Sequence, residues 1–213
     1  MKIIEYGNNW LIEDQLDNEL LNDIKNFFDK HLDFLHSDKE GYSTTGDNAK
    51  QYWIEKIGEN PFYYKNKEHE DIQRRLKKEI YGRLKAASLL KIDNVGLKQN
   101  GAWTVIGQEG SYHTIHDHCE GRINGISIVL YLNVPEPKHK SNSTFFVLRA
   151  DPSSHLIKQT CPKIVNIAPD VGKILIFPPH ILHGTYPQTK GIRQTFNVDY
   201  NIFPIIKSSL NYS

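Results

Sequence analysis

Between residues 14 and 34 the apolar positions Leu16, Leu20, Ile24, Phe27 and Phe28 recur at three- and four-residue steps, with charged residues between them. That is the period an α-helix needs to turn one face to a core, so the segment predicts an amphipathic helix. Ile72, Leu76, Ile80, Leu84 and Ala87 repeat in the same way and predict a second helix over roughly 68–90, ending before Asp93 and Asn94. The intervening stretch 38–67 is rich in Gly, Ser, Thr, Asn and Tyr and has no clear period. It reads as a long loop with one short strand at most, near 52–57. Loops of that length often carry function.

After Val95 the pattern changes to short β-rich runs broken by turn residues, at 95–98, 102–107, 111–118, 125–134, 144–150, 164–168, 172–177, 182–186 and 192–202. Eight or nine such strands predict a mainly β sandwich or jelly roll, with the two N-terminal helices packed on one sheet. The apolar runs 126–132 and 174–177 do not alternate, which predicts strands buried on both faces. A chain of 213 residues supports one sizeable core. The expectation is therefore a single domain, with 1–92 a helical extension and loop and 93–204 the jelly-roll core.

Charge narrows the partners. The 26 Lys and Arg nearly balance 25 Asp and Glu, which gives no electrostatic reason to expect nucleic acid or an anionic membrane. The longest apolar run, 126–132, is too short to cross a bilayer, and the first residues lack a basic start followed by an apolar stretch. Two cysteines, Cys119 and Cys161, cannot staple a chain of this length and fit a reducing compartment. A cytoplasmic protein acting on a small molecule or a protein side chain is expected.

Candidate chemistry gathers on histidines. His116 and His118 stand in Tyr112-His113-Thr114-Ile115-His116-Asp117-His118, and His183 in Phe177-Pro178-Pro179-His180-Ile181-Leu182-His183-Gly184. On a strand, residues two apart share a face at about 6.5–7 Å, so His116 and His118 can converge on one ion. His183, 65 residues beyond His118, is far enough along for intervening strands to bring it alongside as a third ligand. The plain alternative is that these are ordinary surface or core histidines, since the chain has ten.

These segments resemble two families built on the double-stranded β-helix. Gly110, then five residues to His116-x-His118, and Gly172, then five residues to Pro178 with His183 beyond, resemble the cupins. That pattern breaks at Arg122 or Ile123 and at His180, where a cupin has a glutamate and a glycine. From about Trp103 to Phe203 the chain resembles the 2-oxoglutarate, Fe(II)-dependent oxygenases, including Leu130-Tyr131-Leu132-Asn133, the 172–178 strand and His183. Arg193, ten residues after His183, and Thr195 two further on look like the pair with which these oxygenases hold the distal carboxylate of 2-oxoglutarate. A guanidinium fork suits that role because it offers bidentate, charge-assisted bonds.

The resemblance implies Fe(II) and 2-oxoglutarate as cofactors, molecular oxygen as co-substrate, and hydroxylation of a small molecule or protein side chain. It also implies His116, His118 and His183 as metal ligands and catalytic residues, with Arg193, Thr195 and Tyr131 binding the cofactor. The family's usual metal site is two histidines and one carboxylate, whereas the residue two after His116 is another histidine. Three ligand sets stay open: the three histidines; His118 and Glu120 with His183; or a site that uses Asp117. Trp103 and Tyr112 are further candidates to wall the cavity, and Asn197 shares the strand face of Arg193. His113 and His180 lie beside the proposed ligands in sequence, but their spacing points them elsewhere or to places behind the ligands. Two other readings of the triad are a cupin-type metal enzyme that does not use 2-oxoglutarate, and a binding module with a closed structural metal.

Overall fold

The computed structural model describes residues 1–37, 48–56, 61–91, 94–119, 124–135, 142–149 and 162–205. The first amphipathic stretch forms helix α1 (Asn18–His31), whose buried face is Leu20, Leu21, Ile24, Phe27 and Phe28. The helix starts later than the apolar period alone suggests because Asp17 caps it, its Oδ1 accepting from the backbone N–H groups of Glu19 at 2.9 Å and Leu20 at 3.2 Å. Helix α2 (Lys67–Ala86) is capped by Asn66 and buries Ile72, Leu76, Ile80 and Leu84. It ends in a Schellman-type turn, with Ser88 N–H on the Lys85 carbonyl, Leu89 N–H on the Leu84 carbonyl, and Ser88 itself at φ 54.

The strands are β1 (Lys2–Tyr6), β2 (Asn9–Gln15), β3 (His36–Ser37), β4 (Ala49–Lys56), β5 (Phe62–Tyr63), β6 (Val95–Gly107), β7 (His113–His116), β8 (Gly125–Asn133), β9 (Thr144–Leu148), β10 (Lys163–Ile167), β11 (Lys173–Phe177), β12 (Leu182–Thr185) and β13 (Arg193–Pro204). They form two antiparallel sheets: a large one ordered β1-β2-β11-β8-β13-β6-β4-β3, with β5 on β4, and a small one ordered β10-β9-β12-β7. This is the expected mainly β jelly roll with N-terminal helices on one sheet. The runs 95–98 and 102–107 fuse into the single long strand β6.

Each face of the large sheet has its own core. Ile126, Ile128, Leu130 and Leu132 of β8, Ile174 and Ile176 of β11, and Phe196 and Val198 of β13 pack with the two helices. Val129 and Tyr131 of β8 and Leu175 and Phe177 of β11 face the small sheet, against Phe146 and Leu148. Burial on both sides explains why β8 and β11 read as continuous apolar runs. No helix among the described residues is long and apolar enough to cross a membrane.

Two expectations need correction. The helix does not begin at residue 14, because Asp14 and Gln15 are the end of β2, and Asp14 pairs with the Arg83 Nε at 2.8 Å. Part of the expected 38–67 loop is strand: β4 pairs with residues 102–107 of β6, and β5 pairs with β4. Its alternation is hidden because Tyr52 and Ile54 pack toward the helix-side core while Trp53 lies against Trp103. Residues 38–47 and 57–60 of that stretch lie outside the described residues.

His69 of α2 is 1% exposed, and neither ring nitrogen has a hydrogen-bond partner of normal geometry. Burial pushes its pKa down to about 4, with a weak opposing contribution from Gln99. The unfolded chain therefore binds a proton at a pH where the folded chain does not. Stability from this residue is present above pH ~6.5 and lost as pH falls toward ~4. In urea titrations at about pH 7.5 and about pH 5, wild type should lose about 2 kcal/mol more than His69→Phe. Equal losses would mean that His69 does not carry this pH dependence.

Candidate metal centre

Pairing in the small sheet brings the distant histidines together. His183 on β12 is the register partner of His116 on β7, so the two rings face one another with centroids 4.4 Å apart. His118 lies just past the end of β7, where its N–H donates to the Pro179 carbonyl at 2.9 Å and keeps the segment beside the β11–β12 connection. Its ring stands 5.3 Å from His116 and 4.9 Å from His183. One nitrogen from each of the three rings lies within 4.8 Å of those of the other two, a spacing that can hold one metal ion.

The other ring nitrogens are already engaged. His116 Nδ1 faces the Thr114 carbonyl at 2.8 Å, and His183 Nδ1 the Ile181 carbonyl at 2.9 Å. His118 Nδ1 faces Asp199 Oδ1 at 2.9 Å and Ser127 Oγ at 3.0 Å. Carbonyls and ionised carboxylates only accept, so the ring protons sit on Nδ1 and all three Nε2 lone pairs are left for a ligand. Burial is the main cause that lowers the pKa of His116 and holds that of His183 well below the usual imidazole range. Both rings are thereby kept in the form that binds metal.

Asp117 does not join the cluster, because its carboxylate accepts from the Cys119 N–H at 3.1 Å. Glu120, Arg122 and Ile123 lie outside the described residues. Among the described residues no fourth side chain completes the cluster.

β13 brings a row of polar side chains to the same cavity. Arg193, Thr195, Asn197 and Asp199 are all buried on the face opposite the helices, as alternation along a strand requires. Arg193 is 6% exposed and donates from Nη2 to Thr185 Oγ1 at 2.9 Å and from Nη1 to the Asn142 carbonyl at 3.5 Å. Among the described residues no carboxylate pairs with it. Thr185 is two residues from His183 on β12, so this guanidinium is bonded to the strand that carries the third histidine. Thr195 accepts from Asn197 Nδ2 at 3.1 Å and is in register with Tyr131 on β8. The Tyr131 hydroxyl is hydrogen-bonded to Thr144 Oγ1.

His113 is half-buried and stands behind the ligands, with its ring 5.8 Å from His116. Burial pushes its pKa down to about 3, and its Nε2 has no hydrogen-bond partner among the described residues. His180 does point away, with Nε2 on Asn9 Oδ1 at 3.1 Å. Trp103 stands edge-on to His118 at 5.5 Å and packs against Trp53 at 5.0 Å, while Tyr112 is 40% exposed. The role of Asp199 was not visible in sequence. Its position on the strand face of Arg193 was, but its pairing with His118 depends on the fold.

A family model described as "Putative 2OG-Fe(II) oxygenase" matches residues 101–199, the segment that holds the three histidines, Arg193 and Asp199. No curated protein matches the chain in sequence. Solved structures do match in fold. A prolyl-4-hydroxylase of Pseudomonas putida is 12% identical, covering 90% of this chain and 91% of that one, with a TM-score of 0.58. An oxidoreductase of the 2OG-Fe(II) oxygenase family from Burkholderia pseudomallei is 14% identical, covering 90% and 84%, with a TM-score of 0.63. HygX of Streptomyces hygroscopicus, solved with nickel, 2-oxoglutarate and hygromycin B, is 12% identical, covering 92% and 83%, with a TM-score of 0.55. At these identities the likeness establishes the double-stranded β-helix, and a fold of that kind leaves the chemistry open. The sequence match covers the segment that builds the histidine cluster, and over that segment the chain is similar to the 2-oxoglutarate/Fe(II) oxygenases.

Proposed function

We propose that the chain is a dioxygenase that hydroxylates a small molecule or a protein side chain, with His116, His118 and His183 holding Fe(II) through their Nε2 atoms. The observation that carries this reading is the engagement of all three Nδ1 atoms, which leaves three converging lone pairs and no closing fourth ligand among the described residues. When bound, Fe(II) and 2-oxoglutarate together activate oxygen as the keto acid is oxidised to succinate and carbon dioxide.

The protein's part is binding, orientation and exclusion of water. Arg193 supplies a buried cation for the distal carboxylate of 2-oxoglutarate, and Thr195 and the Tyr131 hydroxyl line the same end. Among the described residues no acid pairs with this buried guanidinium, and a dicarboxylate ligand relieves the cost of burying it. The His113 ring stands 5.8 Å from that of His116, and its buried Nε2, without a hydrogen-bond partner among the described residues, is a further group that the bound keto acid can engage. Phe146 and Phe177 pack against the His183 ring and keep solvent from that side. The substrate approaches from the β4 side, where Trp103 stands against His118 and Trp53 packs on Trp103, a pair that can hold an apolar or ring-bearing group.

Anaerobic titration with Fe(II) and then 2-oxoglutarate tests the reading. The weak visible charge-transfer band of a chelated keto acid should grow to one equivalent. Fe(II) binding without the band would transfer the site to metal chemistry that does not use 2-oxoglutarate.

A further inference from the structure

The position two residues after His116, where the usual site of this family has a carboxylate, is His118, and a carboxylate stands directly behind that ring. Asp199 on β13 is 5% exposed, and its Oδ1 accepts from His118 Nδ1 at 2.9 Å and from Ser127 Oγ at 2.7 Å. His116 and His183 have neutral backbone carbonyls in the equivalent place. Among the described residues, Asp199 is the acid that a hydrogen bond joins to the triad.

On the proposed reading of the triad as the metal site, we infer that Asp199 is the carboxylate of this centre, acting on the ion through the His118 ring instead of by coordination. Three neutral imidazoles leave a divalent ion with its full charge, whereas two imidazoles and a carboxylate reduce it by one. A charge-assisted bond from the ring N–H to an ionised acid pushes electron density toward Nε2, strengthens the ligand and fixes the ring's orientation. The negative charge missing from the first coordination sphere is thus restored one hydrogen bond further out. Ser127 holds Asp199 in place from β8, in register across the strand pair. Asp199 is accordingly a positioning and tuning residue.

The test uses Co(II), whose visible spectrum reports its ligand field, titrated anaerobically into the full chain. The proteins are wild type, Asp199→Asn, His118→Asp, and the double variant His118→Asp with Asp199→Asn, each checked for folding without metal. Asp199→Asn should weaken Co(II) binding about ten- to a hundred-fold and shift the Co(II) absorption. In the His118→Asp background two carboxylates face one another, so the same Asp199→Asn change should strengthen binding there. If Asp199→Asn does not fold alone, the comparison of His118→Asp with the double variant carries the test. Unchanged affinity and spectrum in Asp199→Asn would overturn the inference. So would weakening by the same factor in both backgrounds, which is what a purely structural residue produces. Wild type that binds no Co(II), or His183→Ala that binds it as tightly as wild type, would overturn the metal reading itself.

Discussion

His183→Ala is expected to lose Fe(II) binding by roughly a thousand-fold, about 4 kcal/mol, and to release no measurable succinate from 2-oxoglutarate. The residue has the largest leverage because it comes from a different strand from the other two ligands. Without it, His116 and His118 form only a two-point site on one edge of the small sheet. The ring is also wedged between Phe146 and Phe177 and is 4% exposed, so the substitution leaves a small cavity. The metal effect must therefore be separated from a fold effect. Thermal melts with and without Fe(II) do this: wild type should gain stability on adding metal and His183→Ala should gain none. His180→Ala, three residues earlier and bonded to Asn9 outside the cluster, should behave as wild type. Retained Fe(II) stabilisation in folded His183→Ala would remove this residue from the metal site.

Much of this centre was legible from spacing because two simple periods set it. The two-residue step placed His116 and His118 together, and the alternation along 192–202 placed Arg193 and Thr195 on one face. The helices were legible from their three- and four-residue repeats, but not their first turns, which capping by Asp17 and Asn66 decides. The β1–β2 hairpin was missed, although Gly7-Asn8 between two apolar runs, with Gly7 at φ 59, is the kind of two-residue turn that signals one. β4 could not be found by alternation, since aromatic or apolar side chains occupy both of its faces. His113 and Asp199 were out of reach for a different reason. Their partners, His116 with Arg193 and His118 with Ser127, are set by which strands lie side by side, and local spacing holds no record of that.

Replacing Arg193 should move cofactor affinity and the stability of the cofactor-free protein in opposite directions. Arg193→Met removes a pair of charge-assisted bonds to the distal carboxylate, each worth about 1.5–3 kcal/mol, so the Kd for 2-oxoglutarate should rise by about a hundred- to ten-thousand-fold. Fe(II) binding should survive, because the three histidines take their hydrogen bonds from other groups. Without 2-oxoglutarate the guanidinium is a buried cation whose described partners are the Thr185 hydroxyl and the Asn142 carbonyl, and burial alone lowers its pKa. Exchanging it for an apolar side chain of similar length removes that desolvation cost and should stabilise the cofactor-free protein by about 1–3 kcal/mol, raising Tm by several degrees. Arg193→Lys keeps the charge but loses the planar fork, so it should fall between wild type and Arg193→Met in 2-oxoglutarate affinity. Isothermal titration with 2-oxoglutarate on the Fe(II)-loaded protein gives the first quantity, and melts of the cofactor-free protein give the second. A variant that lost 2-oxoglutarate binding and was also destabilised would show Arg193 to be a structural cation whose counter-charge lies within the protein. A variant that lost neither would leave the guanidinium with no part in holding the keto acid.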